Sequence, residues 1–129
     1  MERELKRILY VEDEGDIRTV TAMALEAVGG FTVITCSSGA EAVATAPDAS
    51  ADLILLDVMM PGMDGLATLS ALRGLSQTAD TPVIFMTAKV QASEIQHYMR
   101  LGATDVIAKP FDPMTLSAQI GEIWRKVAG

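Results

Sequence analysis

The chain has a single cysteine, Cys36, and a single histidine, His97, in 129 residues. One cysteine excludes an internal disulfide and fits a reducing compartment, with a small buried hydrophobe near a strand end as its expected role. Without a cluster of His or Cys, zinc is a poor candidate cofactor. Basic residues are few: ten Lys and Arg stand against 17 Asp and Glu, a net charge of −7. A nucleic-acid binder needs a basic face, so no direct nucleic-acid contact is expected. No apolar run approaches the roughly 18 residues of a membrane span. Met1 to Lys6 is polar and charged, with no signal-peptide core behind it, so a cytoplasmic protein is expected. Neither G-x-x-x-x-G-K nor G-x-G-x-x-G occurs, which removes the common nucleotide-binding loops. No repeat, low-complexity segment or interdomain linker is visible. Residues 1–129 therefore read as one domain, with a polar tail over 1–6.

What is present is a regular alternation. Half the residues are apolar, and they fall into five strand–helix units. Strand one is Arg7 to Val11, followed by Glu12-Asp13-Glu14. Helix one carries Ile17, Val20, Thr21, Ala24, Ala27 and Val28 at helical spacing until Gly29-Gly30 stops it. Strand two is Phe31 to Cys36. Helix two opens on Ser38-Gly39-Ala40-Glu41, a capping-box pattern, and should stop near Pro47. Strand three runs from Leu53 into Asp57. Helix three, from about Leu66, shows Leu66, Leu69 and Leu72 before Gly74. Strand four is Pro82 to Thr87. Helix four, Ala92 to Leu101, should turn Ile95 and Met99 inward. Strand five is Asp105 to Ala108. Helix five starts at Asp112-Pro113 and places Leu116, Ile120, Ile123, Trp124 and Val127 on one face. Alternating units of this kind build a parallel sheet covered by helices on both faces, with right-handed crossovers.

The most informative stretch is Leu53-Ile54-Leu55-Leu56-Asp57-Val58-Met59-Met60-Pro61-Gly62-Met63-Asp64-Gly65. A strand buried on both faces ends in one carboxylate, and a Pro-Gly turn follows, with Asp64 as the N-cap of the next helix. Ligands of open α/β sheets gather at the carboxyl ends of strands. A lone Asp there is more often a cap than a nucleophile, but other strand ends carry matching groups: Glu12 and Asp13 after strand one, Thr87 at strand four, Lys109 after strand five. Two like charges about 4 Å apart repel by roughly 4 kcal/mol at an effective dielectric near 20. Three carboxylates in one crevice thus call for a cation, or for one of them to stay protonated. Their all-oxygen donor set suits a hard ion such as Mg²⁺, beside which an Asp can attack phosphorus. Thr87 can hydrogen-bond a phosphoryl oxygen, and Lys109 can pair with another.

Glu12-Asp13, the Asp57-to-Gly65 loop, Thr87-Ala88 and Lys109-Pro110-Phe111, in this order on five units, resemble the receiver domains of bacterial two-component response regulators, of the single-domain chemotaxis-regulator type. The resemblance covers essentially the whole chain. It implies a flavodoxin-like, doubly wound α/β fold: a five-stranded parallel sheet in the order 2-1-3-4-5 with five helices. It implies Asp57 as phosphoacceptor, Asp13 as a direct Mg²⁺ ligand, Glu12 acting through water, and the backbone carbonyl of Met59 as a further ligand. It implies that Thr87 contacts the phosphoryl group and moves with it, and that Lys109 pairs with that group next to a cis bond to Pro110. The implied partners are a histidine kinase or histidine phosphotransfer protein, and a downstream protein target at helix four, strand five and helix five, with the chain a monomer or weak dimer.

The chain departs from the family at three kinds of position. Val106 stands where many receivers carry a switching aromatic, and Glu12 replaces a common Asp. Met59 and Lys89, each two residues beyond a site residue, stand where the family tunes phosphoryl lifetime. His97 is expected at the surface of helix four rather than as a phosphohistidine. Three functions stay open: a phosphorylation-activated switch acting through a partner; a phosphorelay intermediate or a receiver fragment of a larger regulator or hybrid kinase; and an aspartyl-nucleophile phosphohydrolase. The last wants an acid two residues after the nucleophile, where Met59 stands.

Overall fold

In the computed structural model, which describes residues 3–128, five strands alternate with five helices. The strands are β1 (Arg7–Val11), β2 (Thr32–Cys36), β3 (Leu53–Asp57), β4 (Val83–Thr87) and β5 (Asp105–Ala108). The helices are α1 (Gly15–Ala27), α2 (Gly39–Ala49), α3 (Gly65–Arg73), α4 (Ala92–Arg100) and α5 (Pro113–Ala128). All strand pairs are parallel, in the order β2-β1-β3-β4-β5. The winding direction reverses between β1 and β3, which opens a crevice at their carboxyl ends.

The continuous apolar runs are explained by two core layers. Leu9, Val11, Ile54, Leu56 and Phe85 point to α2, α3 and Tyr98 of α4. Ile8, Tyr10, Leu53, Leu55, Ile84 and Met86 point to Leu25 of α1 and to Leu116, Ile120 and Trp124 of α5. Alternate residues of one strand thus enter opposite layers, and β3 and β4 are buried throughout. Cys36 is buried at the end of β2, the place expected of a small hydrophobe. Registry pairs Val11 with Leu56, Asp57 with Met86 and Thr87 with Ala108, so the polar strand ends stand level.

Helix starts follow their caps. Ser38 Oγ accepts from the Glu41 amide at 3.1 Å, and Glu41 Oε1 accepts from the Ser37 amide at 2.6 Å. Asp64 Oδ1 accepts from the Ala67 amide at 2.9 Å. Helix two does not stop at Pro47 but runs on to Ala49. Ala46 and Ala49 are buried against the core, and the Arg7 guanidinium donates to the Ala49 carbonyl from Nε (3.0 Å) and Nη2 (2.9 Å). Packing and that clamp offset the bond which proline cannot make.

Three helical faces also differ from their sequence patterns. On α1 the buried residues are Thr21, Ala22, Ala24 and Leu25, whereas Ile17, Val20, Ala27 and Val28 are exposed. The helix is rotated onto Leu25 because its end is drawn close to α5: a Cβ on Gly29 would lie 2.6 Å from Ser117 Oγ and 2.5 Å from the Phe31 ring. On α4 the one buried residue is Tyr98, and Met99 is exposed. The Tyr98 ring meets Phe85 edge-on at 5.4 Å, and this aromatic contact sets the inward face. On α5, Leu116, Ile120 and Trp124 are buried as expected, but Val127 is exposed near the helix end. His97 is at the surface, as expected.

Candidate functional site

Beyond Val11 the chain keeps sheet registry for one more residue, the Glu12 amide donating to the Cys36 carbonyl at 3.0 Å. It then bends. Glu12 is 1% exposed and Asp57 2% exposed, while Asp13 is the most open of the three. One carboxylate oxygen from each lies within 4.8 Å of the others. Gly65 makes this possible on the Asp57 side. Its amide donates to the Val58 carbonyl at 2.9 Å, and a Cβ there would sit 2.6 Å from the Asp57 carbonyl oxygen. Only glycine lets the start of α3 press this closely on the end of β3.

Lys109 reaches into the same crevice. Its amide donates to the Thr87 carbonyl at 2.9 Å, its bond to Pro110 is cis, and its Nζ donates to Asp57 Oδ1 at 2.8 Å and Glu12 Oε1 at 3.1 Å. Burial and then the neighbouring Asp57 charge push the Glu12 carboxyl up to about 7, with Lys109 opposing them. Burial pulls the Lys109 ammonium down, but the hydrogen bond and charge of Asp57, then Glu12, outweigh it and raise its pKa. Two of the three carboxylates, Glu12 and Asp57, thus share one ammonium, Asp13 has no share in it, and the remaining negative charge with its oxygen-only donors fits a hard divalent cation.

Thr87 is fully buried at the end of β4, and its Oγ accepts from the Lys89 amide at 3.0 Å. In this conformation the β4–α4 loop holds the hydroxyl. Met59 lies two residues past Asp57 in sequence and is 60% exposed. Val106 is half-buried and packs on the layer containing Phe85 and Tyr98. The aromatic pair of this region is therefore contributed by β4 and α4, not by β5.

One neighbour was missed in the sequence. Arg18 Nη1 donates to the backbone carbonyls of Glu12 at 2.8 Å and Asp13 at 3.5 Å. The available signal was an arginine one turn into a helix that follows an acidic turn. Its acceptors are backbone atoms, which side-chain patterns do not report.

Residues 8–121 match the family model described as response regulator receiver domain. The chain is 37% identical over 121 residues to the phosphate regulon transcriptional regulatory protein PhoB of Pseudomonas aeruginosa, covering 94% of this chain and 52% of that protein. It is 39% identical over 121 residues to the alkaline phosphatase synthesis transcriptional regulatory protein PhoP of Bacillus subtilis, covering 94% and 49%. The chain spans about half the length of the curated relatives it matches. Among solved structures, the chemotaxis response regulator CheY4 of Vibrio cholerae superposes with a TM-score of 0.85 at 33% identity, covering 93% of this chain and 99% of that one. The receiver domain of a signal transduction histidine kinase from Syntrophus aciditrophicus gives 0.80 at 30% identity, covering 95% and 92%. With the family match spanning most of the chain and relatives agreeing in both sequence and fold, the chain belongs to the response regulator receiver domain family.

Proposed function

We propose that this chain is a phosphoacceptor receiver of a two-component system, a single domain that takes a phosphoryl group onto Asp57 with Mg²⁺. The observation that carries the reading is the buried Asp57 carboxylate, held by Lys109 at 2.8 Å and clustered with Glu12 and Asp13. Its chemistry follows from those contacts. A carboxylate oxygen of Asp57 attacks phosphorus; the O–P bond forms as the P–N bond of a phosphohistidine donor breaks, and the imidazole leaves. Asp13 and Asp57 would hold the cation directly, Glu12 through water, and the Met59 carbonyl would complete the protein's share. Bound Mg²⁺ supplies charge neutralisation on the transferring group. The enclosure of Asp57 keeps bulk water from the new acyl phosphate.

Lys109 is positioned to exchange its carboxylate partner for a phosphoryl oxygen. Thr87 then gives up the Lys89 amide to reach another oxygen, and this loosens the loop that leads into α4. Signal leaves through a partner protein at α4, β5 and α5, where Val90, Met99 and Leu101 are exposed beside the moving loop. The donor is a histidine kinase or a histidine phosphotransfer protein, the partner class of the family. Met59 offers no acid two residues past Asp57, so the site does not suit a phosphohydrolase.

Intact mass after incubation with Mg²⁺ and acetyl phosphate tests the reading. Wild type should gain one phosphoryl group, and Asp57→Asn should gain none. An adduct of equal size on the variant would move the acceptor elsewhere.

A further inference from the structure

We propose that Arg18 is a positioning residue for the acidic crevice: its guanidinium fixes the turn that turns Glu12 and Asp13 toward the same cation. The inference rests on the Mg²⁺ reading above.

Glu12 and Asp13 are consecutive. In a continuing strand their side chains would point to opposite faces of the sheet. One carboxylate oxygen from each nevertheless joins one from Asp57 within a 4.8 Å cluster. The backbone must therefore leave strand geometry at this point, and β1 does end at Val11 with a bend at Asp13. A two-residue turn dense in negative charge needs something to hold it.

Within the turn the Glu14 amide donates to Glu12 Oε2 at 3.3 Å, and Arg18 holds the turn's backbone from outside. It belongs to the second turn of α1, where its own amide is engaged with the Glu14 carbonyl at 2.9 Å. Its side chain runs back over the turn, and Nη1 donates to Glu12 O at 2.8 Å and Asp13 O at 3.5 Å. A Cβ on Gly15 would be in van der Waals contact with Nη2, at 3.7 Å, so the guanidinium lies back over the first residue of α1. Among the described residues no carboxylate forms an ion pair with Arg18. An arginine that spends its short bond on a carbonyl of this turn, and pairs with no carboxylate, orients the acids without neutralising them. It also ties the first turns of α1 to the metal ligands.

Orientation and charge make opposite predictions, which lets one experiment separate them. If Arg18 were only a nearby positive charge, it would repel Mg²⁺, and removing it would tighten binding. If it positions the ligands, removing it loosens them. Outer partners of metal ligands are worth about 10-fold or more in affinity.

The experiment is a Mg²⁺ titration of wild type, Arg18→Lys and Arg18→Met, followed by amide chemical shifts, with thermal midpoints measured alongside. Both variants keep a long, helix-compatible stem on a half-exposed position, so folding should persist. The expected order of affinity is wild type, then Lys, then Met, with Met weaker than wild type by about 10-fold and midpoints close to wild type. In the metal-free proteins, exchange of the Glu14 amide, which donates to Glu12 Oε2 at 3.3 Å within the turn, should be faster for Met than for wild type. Met binding as tightly as wild type, or more tightly than Lys, overturns the inference and leaves the metal site standing. A wild type that shows no Mg²⁺ response removes the metal reading itself, and this inference with it.

Discussion

At the amino end of β3, Asp52 accepts from the Lys6 amide at 3.0 Å and the Arg7 amide at 2.9 Å, and the Arg3 guanidinium lies 3.8 Å from its other oxygen. At the carboxyl end of the same strand, Asp57 shares one ammonium with Glu12 and has Asp13 as a further anionic neighbour. The first carboxylate takes two amide donors on one oxygen and has a cation near the other, and it stitches the N-terminal segment to the sheet. The Trp124 indole does the same from α5, donating to the Arg3 carbonyl at 2.7 Å. The second is crowded by like charge in a place that water barely reaches. Proteins satisfy their buried polar groups unless something else is meant to do so. The imbalance, more than the burial, marks which end of the sheet is built for a ligand.

The largest break in that comparison is Lys109→Ala. It leaves Glu12 and Asp57 buried without their shared cation. Removing one partner of a buried pair costs about 3 kcal/mol at the low end of the usual range, and Lys109 is 23% exposed, which keeps the value there. Urea unfolding in EDTA should show that loss. Mg²⁺ should then stabilise the variant by more than it stabilises wild type, because the ion takes over the missing charge. Equal stabilisation of both proteins by Mg²⁺ would mean that lysine and ion do not compensate the same carboxylates.

Asp52→Ala is the matching change at the other end. It strands the Lys6 and Arg7 amides and frees Arg3, at about 1.5 kcal/mol. Asp52 is partly open, so water should recover some of the loss. Phosphorylation by acetyl phosphate and Mg²⁺ affinity should be unaltered. A change in either would show that the two ends are coupled along β3.

How far the sequence could be read follows the same division. The strands were legible because a strand covered on both sides must be apolar along its whole length, and Leu53 to Leu56 is. The site was legible because chemically matched side chains recur at strand ends, and the structure brings Glu12, Asp13, Asp57 and Lys109 together. Helix orientation was less so. The apolar stripe of α1 is broad, and a close contact far along the chain, Gly29 on Ser117, decides which part of it is buried. On α4 one aromatic contact, Tyr98 on Phe85, outweighs the pattern that put Met99 inside. Pro47 misled because the groups that let α2 pass it, Arg7 among them, come from another strand. Each of these was settled by a partner distant in sequence, and local periodicity carries no record of such partners.

Position at the carboxyl end does not by itself confer function, and Ser38→Ala sharpens the comparison on that point. Ser38 also follows a strand end, beyond Cys36 of β2, but its hydroxyl serves a helix: it accepts from the Glu41 amide at 3.1 Å and caps α2. Removing the hydroxyl should cost about 1 kcal/mol, the usual worth of an N-cap, and thermal unfolding should register it. The Glu41 side chain retains its own bond to the Ser37 amide, so half of the cap survives and the effect should be the smallest of the three. Mg²⁺ affinity and the phosphoryl adduct should match wild type, because no charge in the crevice has changed. A variant that loses Mg²⁺ affinity while keeping its helix would place β2 among the elements that shape the site, and the division would then run between satisfied and unsatisfied groups rather than between strands.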